Sequence, residues 1–222
     1  MTGILERLRG GLVASCQPVD FGPMDRPDIV AAMAQACLAG GADGLRIEGV
    51  KNLQATRGVT DAPIIGIVKT DLPDCPVRIT VTLQDVKDLR EAGADIIAYD
   101  ATDRPRPAGR DEVLAGILES GAMAMADCSN LDDARHALMH GAHIIGTTLS
   151  GYTADTQSDA NGPDFALVGA FHALGGFVMA EGRYNTPDFA AEAVRAGADC
   201  VTVGSALTRL EHVTTCFADA VR

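Results

Sequence analysis

Apolar positions along this chain gather into eight short runs, each bounded by glycine, proline or charged residues. They are GLVASCQ from Gly11, GLRI from Gly44, PIIGIVK from Pro63, IIAYD from Ile96, GAMAMAD from Gly121, HIIGTT from His143, GGFVMAE from Gly175 and DCVTVG from Asp199. Runs of this length between turn residues read as strands. The stretches between them have a helical period instead: Ile29, Val30, Met33, Cys37 and Leu38 fall on one helical face. Thr82-x-x-Asp85 and Ser129-x-x-Asp132 have the form of capping boxes that open the helices after strands three and five. Thr186 and Pro187 fit an N-cap and a first helical residue.

Four of the strand entries are written alike: GGADGLRI from Gly40, EAGADIIAYD from Glu91, HGAHIIGTT from His140 and RAGADCVTVG from Arg195. Their Asp43, Asp95, His143 and Asp199 are 52, 48 and 56 residues apart, and each marks a helix end, a glycine turn and a strand start. Strand and helix alternating eight times predicts an α/β fold, a (β/α)8 TIM barrel occupying residues 1–222 as one domain. ILERLRG would then be a short helix closing the barrel floor, and GYTADTQSDANGPD a long loop after strand six.

Composition narrows the function without changing this fold. The chain is 47% hydrophobic with three Tyr, six Phe and no Trp, so its core is aliphatic. A net charge of −12 argues against a nucleic-acid surface but leaves room for a small anion in a local cationic pocket. No apolar run approaches the roughly 18 residues of a membrane span, and the opening MTGILERLRGG lacks the apolar stretch of a signal peptide. A soluble protein is expected. Six widely spread cysteines with no C-x-x-C pair suit free thiols in a reducing cytoplasm.

In such barrels chemistry sits at the C-terminal strand ends. Those ends carry Gln17, Arg46, Lys69, Asp100, Asp127, Thr147/Thr148, Glu181 and Gly204/Ser205. Alternation puts Lys69 on the face of Ile65 and Ile67, and Glu181 on that of Phe177 and Met179. Both ionisable groups are therefore expected in the barrel mouth, Glu181 across from Lys69. A structural ion pair is the competing reading, but such pairs add little net stability, and several polar groups converging on one end point to a ligand. AEGR and VGSALTR, ending strands seven and eight, have the small residues of a barrel phosphate site, with Arg183 and Arg209 to add charge. His136, His140 and His143 have metal-like spacing, yet His143 opens strand six and belongs at the floor. They read as solvated histidines, and no metal site is expected. DRPRPAGRD after Asp100 reads as a rigid rim loop from which Arg104 or Arg106 could reach the substrate.

The stretches SCQ, GGADGLRIEGV, PIIGIVK, AGADIIAYDATDRPRP, TTLSGYT, AEGRYNTP and VGSALTR together resemble the N-acetylmannosamine-6-phosphate 2-epimerase family of sialic acid catabolism, nearly end to end. The resemblance implies a (β/α)8 barrel that interconverts N-acetylmannosamine 6-phosphate and N-acetylglucosamine 6-phosphate without an organic cofactor. It implies Lys69 as the acid/base at C2 and Glu181 as its carboxylate partner. It also implies that Gln17, Arg46 and Asp127 hold the sugar hydroxyls and acetamide, with Thr147 beside them. Gly182, Arg183, Gly204, Ser205 and Arg209 match the family's phosphate cradle, and a cytoplasmic homodimer is implied as well. Glu48, Thr70, Val81, Leu210 and the PVDFGPMD loop depart from the family's usual residues.

The residues suit that chemistry independently of the resemblance. The C2 hydrogen of an open-chain 2-acetamido aldose lies α to a carbonyl, so its removal needs a base and a means of stabilising the enolate oxygen. A lysine in a partly dehydrated mouth can be neutral enough to serve. Two other classes fit the same residues: a phosphosugar aldolase or isomerase using Lys69 as a Schiff-base nucleophile, and a non-catalytic phosphosugar-binding subunit.

Overall fold

The computed structural model describes residues 2–157 and 162–222. Eight parallel strands close into a barrel in chain order: β1 (Gly11–Cys16), β2 (Gly44–Glu48), β3 (Ile64–Ile67), β4 (Ile96–Asp100), β5 (Met123–Asp127), β6 (Ile144–Gly146), β7 (Phe177–Glu181) and β8 (Cys200–Val203). β8 pairs back onto β1, with Val13 beside Thr202. Helix α1 (Thr2–Leu8) precedes β1, and α2 (Pro27–Ala39), α3 (Val50–Arg57), α4 (Leu83–Glu91), α5 (Arg110–Glu119), α6 (Leu131–Met139), α7 (Phe165–His172) and α8 (Pro187–Arg195) fill the connections. After β8 come a single turn, α9 (Ser205–Thr208), and α10 (Leu210–Ala220). This is the expected (β/α)8 barrel. Residues 158–161, part of the expected loop after β6, lie outside the described residues. No helix among the described residues is long and apolar enough to cross a membrane.

The strand register keeps residues of one parity level around the ring, and this decides which side chains face inward. Ser15 pairs with Arg46, Arg46 with Ile65, Ile65 with Ile96, Asp100 with Asp127, Asp127 with Gly146, and Glu181 with Thr202. The lower interior is packed by Val13, Ile65, Ile96, Met123, Ile144, Phe177 and Cys200, all buried. Leu8 of α1, fully buried, plugs this cluster from below with Ile4 and Leu5, so α1 closes the floor as expected. A larger aliphatic and alanine-rich layer fills the space between strands and helices. Gly66 belongs to that layer, and a Cβ there would meet the Leu53 side chain at 2.6 Å.

The four repeated entries share one geometry. Gly41, Gly93, Gly141 and Gly197 all hold φ between +96° and +107°, a conformation that side chains resist. Two residues on, Asp43, Asp95 and Asp199 each accept a backbone N–H from the preceding strand, at Leu12, Ile64 and Val178. His143 does the same through Nδ1, accepting from Ala124 N at 3.1 Å. The repeat is thus a floor latch that ties each strand start to its neighbour.

The helix starts agree with two of three sequence expectations. Thr82 and Asp85 form the full capping box, and Thr186 caps α8 with Pro187 following. The cap of α6 is Asn130 rather than Ser129, its side chain accepting from Asp132 N and Asp133 N. Ser129 instead binds Asp133, whose carboxylate accepts both its N–H and its hydroxyl. Asn in the extended cap conformation is as good an acceptor as Ser, and it stands one residue nearer the first turn.

Candidate active site

Above the apolar interior the inward-facing residues become polar together, and a cavity of about 690 Å³ opens at the C-terminal strand ends. That volume suits a small-molecule ligand. Ser15 and Gln17 line it from the end of β1, Arg46 from β2, Lys69 from just past β3, Asp100 from β4 and Thr148 from just past β6. Glu181, Gly182 and Arg183 line it from β7, and Thr202, Gly204, Ser205 and Arg209 from β8 and the turn after it.

Lys69 stands one residue beyond Val68, where its backbone bridges to Ile79 in the antiparallel sense. Its Nζ donates to Gln17 Oε1 at 2.5 Å, while Gln17 Nε2 donates to Ser15 Oγ at 2.6 Å. Gln17 therefore presents its oxygen to the amine in a fixed orientation. Burial lowers the Lys69 pKa first, the nearby cations of Arg46 and Arg209 lower it further, and Glu48 and Glu181 oppose them. Such a lysine holds its proton less tightly than a surface one.

Arg46 sits at the centre of the polar layer with 1% of its side chain exposed. It grips Asp127 with both terminal nitrogens, at 2.6 Å and 3.2 Å, and its Nη1 lies 3.1 Å from Glu181 Oε2. Burial alone would favour losing the Arg46 proton, but Asp127 and then Glu181 outweigh it and the guanidinium stays charged. Glu181 is shifted the other way. Burial is the largest influence on its carboxyl, and against the attraction of Arg46 it pushes the pKa up to about 7. Glu181 Oε2 is buried against Arg46 and has no aligned hydrogen-bond donor among the described residues.

The expected pairing of Lys69 with Glu181 takes a different form. Both line the cavity, but Glu181 makes its ion contact with Arg46, and the direct partner of Lys69 is Gln17. Arg46 is the longer cation at the centre of the ring, and it reaches both carboxylates. Two further expected site residues, Asp127 and Thr147, stand back from the cavity lining. Asp127 is wholly buried behind Arg46, its oxygens taken by that guanidinium and by the Thr148 hydroxyl at 2.7 Å, and it does not open onto the cavity. Thr147 faces away from the interior and clips the Glu181 backbone, its hydroxyl donating to the carbonyl at 2.8 Å and accepting from the N–H at 3.1 Å. Thr148, one residue on, is the threonine at the cavity. Alternation carries the signal: Ile144, Gly146 and Thr148 share the inward parity, and Thr147 does not.

On the β7–β8 side, Arg183 has φ +61° beside Gly182 at +109°, which turns the chain sharply outward. Its guanidinium donates to the Gly162 and Ser150 carbonyls at 2.7 and 2.8 Å and lies over the Tyr152 ring, holding the β6–α7 loop against the cavity. Arg209 donates through Nε to the Gln17 carbonyl at 3.0 Å, and its terminal nitrogens have no hydrogen-bond partner among the described residues. Gly204 lies close to β1: a Cβ there would stand 3.4 Å from the Ser15 Cβ. At the rim, buried Asp100 binds Arg104 at 2.5 Å and also Arg106. These bonds pin the proline-rich loop to the end of β4, with Arg104 at the cavity and Arg106 turned into the loop.

Comparison with known proteins agrees with this geometry. A family model described as "Putative N-acetylmannosamine-6-phosphate epimerase" matches residues 30–222. A protein of Pasteurella multocida (strain Pm70) named "Putative N-acetylmannosamine-6-phosphate 2-epimerase" is 59% identical over 219 residues, which is 99% of this chain and 95% of that protein. One of the same name from Actinobacillus pleuropneumoniae serotype 5b (strain L20) is 60% identical over the same shares. The solved structure of the N-acetylmannosamine-6-phosphate 2-epimerase from Clostridium perfringens superimposes with a TM-score of 0.93 at 35% identity, covering 97% of this chain and 95% of that one. Matched along nearly its whole length in sequence and in barrel geometry, this chain belongs to the N-acetylmannosamine-6-phosphate epimerase family.

Proposed function

We propose that this protein interconverts N-acetylmannosamine 6-phosphate and N-acetylglucosamine 6-phosphate by removing and returning the C2 proton, with no cofactor. The observation that carries the reading is Lys69: an amine of lowered proton affinity, fixed by Gln17 at the mouth of a polar cavity of sugar-phosphate size. Neutral Lys69 takes the proton from C2 of the open-chain sugar, and the electron pair passes to the C1 oxygen as an enolate. A proton returned to the same face of C2 regenerates the substrate, and one delivered to the opposite face, from the ammonium after the enolate has turned or from a second donor, gives the epimer. Arg46 supplies a fixed positive charge beside the developing oxyanion, held by Asp127 so that it does not reorganise during reaction. Glu181, which lines the cavity, sets through its charge how readily Lys69 releases its proton.

The 6-phosphate is assigned to Gly182, Arg183, Gly204, Ser205 and Arg209. Arg209 has the free nitrogens for direct contact, and Arg183 adds charge while bracing the loop beside it. Asp127 and Thr147 act one step back, on Arg46 and on the Glu181 backbone. Six free thiols suit a reducing, cytoplasmic setting in amino-sugar catabolism.

Proton NMR of N-acetylmannosamine 6-phosphate with the protein in heavy water tests the reading. The expected product is N-acetylglucosamine 6-phosphate carrying deuterium at C2. A borohydride-trapped lysine adduct in place of epimerisation would indicate a Schiff-base enzyme, and thermal protection by the sugar without turnover would indicate a binding subunit.

A further inference from the structure

Away from the cavity, on the outer wall of the barrel, three side chains from two helices bring metal-ligating atoms together. His136 and His140 stand one turn apart at the C-terminal end of α6, with rings stacked at 4.1 Å between centroids. Asp111, in the first turn of α5, faces them, and one ligand atom from each of the three lies within 4.8 Å of the others. Histidine spacing alone suggests His143 as the third member. That residue is committed to the floor latch, and the neighbouring helix supplies Asp111 instead.

We propose that Asp111, His136 and His140 form a surface site for a divalent transition-metal ion of the zinc class, separate from catalysis. The hydrogen bonds already set the rings for this. His140 Nδ1 lies 2.8 Å from the His136 carbonyl, which can only accept, so Nδ1 carries the proton and Nε2 presents its lone pair outward. Fixing one ring nitrogen on a backbone carbonyl so that the other can bind is how metal-ligating histidines are commonly oriented. His136 Nε2 lies 2.6 Å from Asp111 Oδ1, and an ion entering between them takes the place of the shared proton, which leaves to water. Ligand bonds of about 2.0–2.2 Å need the two atoms to part to about 3.3 Å. The side chains have that freedom, with 56% of Asp111 and 25% of His136 exposed. Two imidazoles and one carboxylate favour zinc, copper, nickel or cobalt over magnesium or calcium, which prefer all-oxygen shells. None of the three residues lines the catalytic cavity, so the ion would tie α5 to α6 without touching the reaction.

The test is a cobalt(II) titration of the full chain after chelator stripping, read by visible absorption, with zinc competition for affinity. The expected result is one equivalent bound with the d–d bands of nitrogen and oxygen ligands. Affinity should fall in His140→Ala and in Asp111→Asn by more than the ~10–100-fold that loss of a partner behind a ligand costs. Zinc should raise the melting temperature of the wild type and not of His136→Ala/His140→Ala. His140→Ala is the decisive variant, because its Nε2 serves nothing in the fold, and its response to zinc is read against its own metal-free melt. Epimerase turnover should be the same with and without the ion. Binding unchanged in His140→Ala overturns the proposal. So does an intense thiolate-to-cobalt band, which would move the site to the cysteines, or activity lost on stripping and restored by metal.

Discussion

At the scale of single residues, the proposed function rests on how one lysine is kept ready to lose its proton. Burial and two arginines lower its affinity, and two carboxylates restrain that shift. Lys69→Met should abolish both epimerisation and C2 exchange with solvent in a protein that still folds. A general base contributes about 10²–10⁴-fold, and a sole base for a carbon acid belongs at the upper end. Retention of a tenth of wild-type kcat would mean that the lysine is a structural charge only. Glu181→Gln removes one of the two restraints, so Lys69 should become neutral at lower pH. The acid limb of the kcat/KM profile is then expected to move to lower pH, and a limb that stays put or moves up would disconnect the two residues. Arg46→Met should be severe for a different reason. It leaves Asp127 and Glu181 buried without their cation, a loss of about 3–5 kcal/mol that urea unfolding can measure. Lys69, Glu181 and Gln17 are all legible in the sequence from strand parity and position. The central place of Arg46 was not, because no pattern of spacing reveals which of several strand-end charges reaches across the ring.

At the scale of elements, the GAD repeats explain more than the fold count. Each supplies a glycine at positive φ and then an acceptor for the neighbouring strand's first free N–H. The repeat is plain in the sequence, but its purpose is not, because the hydrogen bond it makes crosses to a strand residue 21 to 31 positions earlier. His143 is the instructive member: spacing groups it with two other histidines, and the register groups it with three aspartates. Its acceptor Nδ1 requires a neutral ring, and burial lowers its pKa accordingly. A histidine with a lowered folded pKa contributes stability that is present above its unfolded value, near 6.5, and is lost as pH falls through the folded one. His143→Asp should keep the latch and lessen this acid sensitivity. His143→Leu should leave Ala124 N without an acceptor and cost about 1–3 kcal/mol at neutral pH. Denaturant melts of the three proteins between pH 5 and 8 give the comparison, and equal stability of Leu and Asp variants would show that the latch at this position contributes nothing.

For the whole molecule, the sequence specified the barrel closely because strand parity, glycine turns and helix caps all point to the same architecture. What it left open is what happens outside the ring. Helix α10 buries none of its residues, yet Leu210, Val213, Phe217 and Val221 recur at helical spacing around it, and Leu210, Phe217 and Val221 are 53%, 72% and 84% exposed. An amphipathic helix gains its stability by covering such a stripe, and among the described elements α10 packs chiefly on the short α9. A second copy of the chain is the occupant that the family resemblance favours, and an apolar helix face matched to its own copy can supply the core of a two-fold interface. The protein is therefore expected to be a homodimer at micromolar concentration by sedimentation. Leu210→Glu with Phe217→Glu should convert it to monomers, because each interface would then bury four carboxylates without partners. The barrel itself should keep its melting transition, since neither side chain enters its core. Because Arg209 adjoins Leu210 at the start of α10, monomerisation should also raise KM for the phosphosugar more than it lowers kcat. A wild-type protein that sediments as a monomer would remove the dimer and leave the stripe on α10 to another partner.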